Sequence, residues 1–133
     1  RIAMRPGRPM AIGKIGQAVM FGLPGNPVAV MITFYALVRD ALRRMGGAVV
    51  EPMPMLRAAC TTPVRKKPGR TEYQRGIVSM RSDGSLAVAV VGNQGSGVLS
   101  SMSLANGLIV LDHAQGDVLA GDTVNVLPFE GLV

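Results

Sequence analysis

Apolar residues recur along this chain in two different rhythms, one confined to its first third and the other to the remainder. Residues 2–5, 10–13 and 17–23 are short apolar-rich runs, the first two separated by Pro6-Gly7-Arg8-Pro9. They predict strand, turn, strand, strand. Next, Val30, Ile32, Phe34, Leu37, Val38, Ala41, Leu42 and Met45 recur at helical spacing, which predicts one long α-helix of about five turns over residues 28–45. Asn26 suits its N-cap and Pro27 its first position, while Arg43 and Arg44 complement the dipole in the last turn and Gly46-Gly47 supplies the stop.

From residue 48 onward no helical period is sustained. Glu51-Pro52-Met53-Pro54 forms a stiff connector. Beyond it, residues 55–60, 72–80, 86–91, 107–111 and 123–129 read as short strands. Turn chemistry separates them at Lys67-Pro68-Gly69 and at Ser82-Asp83-Gly84-Ser85, where Gly and Asp tolerate positive φ, and residues 98–105 allow a single helical turn. Strands this short favour a small closed or sandwich-like barrel, because closure removes exposed edges. The expected architecture is therefore an α/β fragment over residues 1–50, strands plus one long helix, followed by a small all-β barrel over residues 54–133.

Composition narrows the function classes only a little. A chain of 133 residues, 48% hydrophobic, can bury one ordinary core or be divided into two small pieces. Fourteen Lys and Arg against eight Asp and Glu leave a formal charge of +6, which suits either an anionic partner or a solvated basic surface. With no Trp, three Phe and two Tyr, the stacking platform of a nucleic-acid-binding barrel is nearly absent, and no nucleic-acid partner is expected. The single Cys60 excludes an internal disulfide. Thr33, Tyr35, Arg39 and Asp40 interrupt the helical run too often for it to span a bilayer. A cytoplasmic protein without a membrane partner is expected, and the opening at Arg1, already strand-like, reads as the edge of a longer chain.

Candidate chemistry is basic rather than nucleophilic. One His113 and one Cys60 cannot complete a zinc site, and Asp112 beside His113 reads as turn polarity rather than a dyad. Arg1 and Arg5 are four apart and so share a face of an extended strand, and Arg8 follows the Pro6-Gly7 turn. Guanidiniums grouped in this way can hold phosphate or a tetrahedral oxyanion, or simply form a solvated strand face. Leu23-Pro24-Gly25-Asn26-Pro27 would present backbone N–H groups at a helix N-terminus, where anions are favoured. Further on, Arg75 lies in Gly69-Arg70-Thr71-Glu72-Tyr73-Gln74-Arg75-Gly76. The loop Gly92-Asn93-Gln94-Gly95-Ser96-Gly97 can approach a ligand closely but lacks the Lys-Ser or Lys-Thr ending of a P-loop.

Four segments in this order, Met4-Arg5-Pro6-Gly7-Arg8-Pro9, Gly22-Leu23-Pro24-Gly25-Asn26-Pro27-Val28, Arg70-Thr71-Glu72-Tyr73-Gln74-Arg75-Gly76 and Gln94-Gly95-Ser96-Gly97, resemble the last third of the molybdopterin molybdenumtransferases, the MoeA and gephyrin family. The likeness continues through Leu104-Ala105-Asn106-Gly107-Leu108 and Gly121-Asp122-Thr123-Val124. It implies a molybdopterin-binding α/β domain followed by a C-terminal β-barrel. It also implies a homodimer, and a reaction that joins molybdate to adenylylated molybdopterin with release of AMP. The cation is Mg2+, whose acidic ligands the resemblance places upstream of Arg1. By the same resemblance, Arg1 and Arg5 hold molybdate or substrate phosphate, Pro24, Gly25, Asn26 and Pro27 shape the adjacent loop, and Arg75 and Ser96 face a partner protomer. Arg8 joins them on charge and position. No residue here is expected to act as a nucleophile or metal ligand, and the segment alone is expected to be inactive. Ala29, Asp40 and the arginines at 1 and 5 stand where the family often has Ser, Pro and Lys. The alternative is a β-barrel module that binds a protein or an anionic ligand without catalysis.

Overall fold

The computed structural model describes residues 4–5, 11–22, 32–50, 55–91 and 104–129. Strand β1 (Met4–Arg5) is followed by a hairpin of β2 (Ala11–Ile15) and β3 (Ala18–Gly22), paired from Ala11↔Gly22 to Ile15↔Ala18. The strands β4 (Leu56–Cys60), β5 (Thr71–Met80), β6 (Leu86–Val90), β7 (Gly107–Leu111) and β8 (Thr123–Pro128) follow. In space they run β5-β6-β4-β8-β7, and β7 returns to β5, so the sheet closes into a five-stranded barrel. Closure rather than a sandwich is the arrangement that leaves these short strands without free edges.

Period-two alternation explains which side chains fill the barrel. Ala58 and Cys60 of β4, Val88 of β6, Ile109 and Leu111 of β7, and Val124 and Val126 of β8 form one buried cluster with Val64 and Val118. The other face of β7 points outward, where Leu108 joins Ile32 in a second cluster against which Tyr73, Leu127 and Phe129 pack. That cluster covers part of the barrel's outer wall with the start of the helical segment, and burial there raises the Tyr73 phenol pKa. Both expected turns are present: Gly69 has φ 116 and Gly84 φ 85, whereas no described residue other than glycine takes positive φ.

The expected five-turn α-helix over residues 28–45 needs correction. Residues 28–31 lie outside the described residues. Within 32–45 the chain is helical but not uniformly α: between α-helical residues 32–33 and the α-helix Arg39–Met45 (α1), Phe34–Val38 is a π-helical turn, with the Arg39 N–H donating to the Phe34 carbonyl five residues back. Burial offers a physical reason. Thr33 and Val38 are both buried and lie five apart, a spacing that would leave them about 140° apart on a regular α-helix, whereas an i→i+5 turn brings them close to one face. Along the apolar stripe Ile32 and Val38 are buried and Phe34, Leu37 and Ala41 half-buried, but burial fades toward the end of the helix. No residue of α1 is buried, and Leu42 and Met45 face outward. Spacing identifies an apolar face but not what covers it.

Candidate functional site

Strand β5 carries Glu72 and Arg75 and borders the strand that carries Arg5. It is ten residues long and changes neighbours along its length. On one edge, Glu72 to Gly76 pair with Leu111 to Gly107 of β7. On the other edge, Thr71 and Glu72 pair in parallel with Met4 and Arg5 of β1, and Gly76 to Met80 pair with β6. The strand that carries Arg5 thus occupies the edge β6 has left.

The two faces of β5 carry different chemistry. Glu72 lies opposite Leu111 and Gln74 opposite Ile109, both barrel-core residues, so these polar side chains line the inward face near the barrel's end. Glu72 is 5% exposed. Its Oε1 accepts from Arg70 Nε at 3.1 Å and its Oε2 from Gln74 Nε2 at 3.4 Å. Residues 70, 72 and 74 follow period two, which explains how three polar side chains meet on one face. Arg5, in register with Glu72, projects from that same face and is exposed.

Arg75 lies on the opposite face, in register with Leu108 of the outer cluster. It is only 2% exposed, and desolvation lowers its pKa below that of an ordinary guanidinium. An arginine in such surroundings retains its charge and its forked donors. It is therefore a strong electrostatic group for any anion that reaches it. Of the nine residues singled out from the sequence, Arg5 and Arg75 are described. Arg1, Arg8, Pro24, Gly25, Asn26, Pro27 and Ser96 lie outside the described residues.

Two buried charges were not legible in the sequence. Lys66, 4% exposed, donates from Nζ to the Gln115 carbonyl at 2.7 Å, and its backbone N–H donates to Asp117 Oδ1 at 2.7 Å. It fastens the segment before β5 to the loop before β8, a connection repeated by Gly69 N–H to the His113 carbonyl and by the Val64↔Val118 bridge. Inside Arg65-Lys66-Lys67 nothing marks the middle residue as the buried one. Glu72 was equally silent, lying in an ordinary alternating strand. Asn106 shows its role only in the fold, where its amide accepts from Val78 N–H at 2.7 Å and donates to the Val78 carbonyl at 3.0 Å, extending the ladder beyond β7.

Among the described residues no group of three or more His, Cys, Asp or Glu is placed to hold a metal ion. No described helix is long and apolar enough to cross a membrane.

A closed barrel with a buried arginine on one wall and a carboxylate-bound arginine at its end is the arrangement found in residues 57–129, which match the family described as MoeA C-terminal region (domain IV). The chain belongs to the MoeA family. It is 39% identical over 134 residues to the molybdopterin molybdenumtransferase of Haemophilus influenzae, covering 100% of this chain and 33% of that protein. It is 27% identical over 150 residues to gephyrin of Dictyostelium discoideum, covering 96% and 21%. The crystal structure of the molybdopterin biosynthesis moeA protein of Pyrococcus horikoshii superposes with a TM-score of 0.73 at 27% identity, over 96% of this chain and 30% of that one. A molybdenum cofactor biosynthesis protein of Pyrococcus furiosus gives 0.72 at 32% identity, over 93% and 42%. The chain spans about a third of the length of the Haemophilus relative.

Proposed function

We propose that this chain is the C-terminal part of a molybdopterin molybdenumtransferase, which joins molybdate to adenylylated molybdopterin and releases AMP during molybdenum cofactor biosynthesis. In this reading residues 1–50 end a molybdopterin-binding α/β domain and residues 54–133 form the C-terminal barrel domain. The exposed side chains of Ile12, Ile15, Met20, Leu42 and Met45 are then faces that the rest of the α/β domain covers.

The observation that carries the proposal is the arrangement of two cationic groups about β5 in a barrel of this family: Arg75 on the outer face of β5, and Arg5 of β1 in register with Glu72 on the inner one. Fixed guanidiniums stabilise a tetrahedral oxyanion and a phosphate without supplying a nucleophile, which is what a transfer between molybdate and an adenylylated phosphate requires. Arg5, Arg1 and Arg8 with the loop Pro24, Gly25, Asn26 and Pro27 hold the anionic substrate. Arg75 and Ser96 act from the barrel. Because Arg5 of β1 and Arg75 of β5 project from opposite faces of the sheet, they do not readily converge on one small anion within a single chain. This favours a cytoplasmic homodimer in which the barrel of one copy completes the site of the other. Magnesium, bound when present by residues outside those described, would neutralise phosphate charge.

The test uses the intact protein with molybdate, Mg2+ and adenylylated molybdopterin. Molybdate-dependent AMP release that falls at least tenfold in Arg5→Ala, with the fold retained, is the expected outcome. Release at the unmutated rate would remove Arg5 from the site.

A further inference from the structure

Glu72 and Arg70 form an ion pair in which only one partner is fully used. Glu72 is buried and both of its oxygens are engaged, Oε1 by Arg70 Nε at 3.1 Å and Oε2 by Gln74 Nε2 at 3.4 Å. A carboxylate removed from water needs such partners. Arg70 gives Glu72 only its Nε–H. The donors on its two terminal nitrogens form no hydrogen bond with the described residues, and its side chain is 40% exposed against 6% for Glu72. A guanidinium is planar and rigid, so holding it at Nε leaves the fork of terminal donors fixed in direction and open to solvent.

The backbone that carries Arg70 is held as well. Just before it, Gly69 takes φ 116 and donates its N–H to the His113 carbonyl at 2.8 Å, while Lys66 Nζ donates to the Gln115 carbonyl at 2.7 Å. Just after it, Thr71 enters β5. An anion arriving at the fork meets donors already in place, so less side-chain freedom is lost on binding. Arg5 stands across the strand edge in register with Glu72 and is exposed. This face of the β1–β5 edge therefore carries two guanidiniums to one carboxylate, an excess of positive charge.

We propose that Arg70 is an anion-binding residue, held at Nε by a Glu72 carboxylate that Gln74 steadies, so that its terminal nitrogens take one tetrahedral oxyanion, a phosphate group or molybdate. The fork matches such an oxyanion with two parallel hydrogen bonds. The inference deepens the transferase reading and rests on it for the source of the oxyanion, not for the hold on Arg70.

Isothermal titration of the intact protein with inorganic phosphate, and separately with molybdate, tests this in wild type, Arg70→Gln and Arg70→Lys. The glutamine amide keeps a donor for Glu72 without the fork, and the lysine keeps the charge without it. Expected is binding of at least one of the two anions by wild type, weakened about tenfold in both variants. The anion whose affinity falls is the group that the fork takes. Unchanged affinity in R70Q overturns the proposal, as does wild-type affinity in R70K, because a point charge then suffices. Binding of neither anion by wild type overturns it too. Should R70Q not fold, R70K decides by the same criterion. In nitrogen NMR the Arg70 Nε–H should exchange slowly with water, and exchange as fast as that of a solvated arginine contradicts the hold by Glu72. These readouts do not depend on turnover, so affinity lost in R70Q supports the site even where AMP release is absent. AMP release by a protein whose anion affinity ignores Arg70 would sustain the transferase reading and overturn this one.

Discussion

Gly76 and Gly107 lie directly opposite each other, at the residue where β5 pairs with β6 and β7 together. A Cβ on Gly76 would come within 2.8 Å of Val88 Cγ2 and 3.2 Å of Ile109 Cδ1, and one on Gly107 within 2.9 Å of Val126 Cγ1. All three neighbours are fully buried core residues. Their methyl groups cannot move aside without disturbing the packing around them.

Gly76→Ala and Gly107→Ala should therefore each destabilise the barrel. In an uncrowded strand, Ala is favoured over Gly by about 0.5–1 kcal/mol, whereas overpacking a core costs about 1–3 kcal/mol. A net loss on the order of 1 kcal/mol is expected, read as a lower midpoint in denaturant unfolding. A higher midpoint in either variant would show that the core yields more easily than its packing implies.

Asn106 stands in for a strand at the edge of Val78, and Asn106→Ala removes both of its hydrogen bonds there. The expected cost is about 1–2 kcal/mol, with faster amide exchange at Val78 and Gly107. Asn106→Asp keeps the acceptor and loses the donor, so it should retain protection of the Val78 N–H. Equal exchange at Val78 in all three proteins would contradict this role.

The Asp83 carboxyl titrates below the ordinary 3.8, first because the Ser85 hydroxyl donates to it at 2.6 Å and next because the Ser85 backbone N–H does so at 2.9 Å. A depressed carboxylate contributes stability above its unfolded pKa that is lost as pH falls through its folded pKa. For Asp83 that loss therefore falls below pH 3.8, and because the group is exposed it is small. Carbon-detected titration should place Asp83 below 3.8 and show it rising toward that value in Ser85→Ala. An unchanged titration in the variant would exclude the hydroxyl as the main cause.

Much of the barrel was legible because its strands are short, alternate cleanly and are punctuated by turn residues. The run 107–111 is strand β7 itself, and the other four strands end within one residue of their expected bounds. Closure was one of two readings, and pairing between β5 and β7 decided it. The helix was legible as helix, but spacing carried no sign of the π turn, which depends on what Thr33 and Val38 must both bury against. Arg5 was legible as an anion-binding candidate through its spacing from Arg1. Its neighbour Glu72 was not, because a parallel pairing over 67 residues of sequence separation leaves no local trace. Arg75 was marked by resemblance, while its burial on the outer wall follows only from the register with Leu108.

The central claim is that the barrel takes part in molybdenum transfer, and Arg75 tests it most directly. Molybdate-dependent AMP release from adenylylated molybdopterin would be measured for the intact protein, Arg75→Ala and Arg75→Lys, with the unfolding midpoint of each recorded because this side chain is buried. The account predicts a fall of about 100-fold in Arg75→Ala and partial recovery in Arg75→Lys, which keeps the charge but not the fork. Undiminished release from a folded Arg75→Ala protein would contradict it, and absence of release from the unmutated protein would leave the family fold serving another purpose.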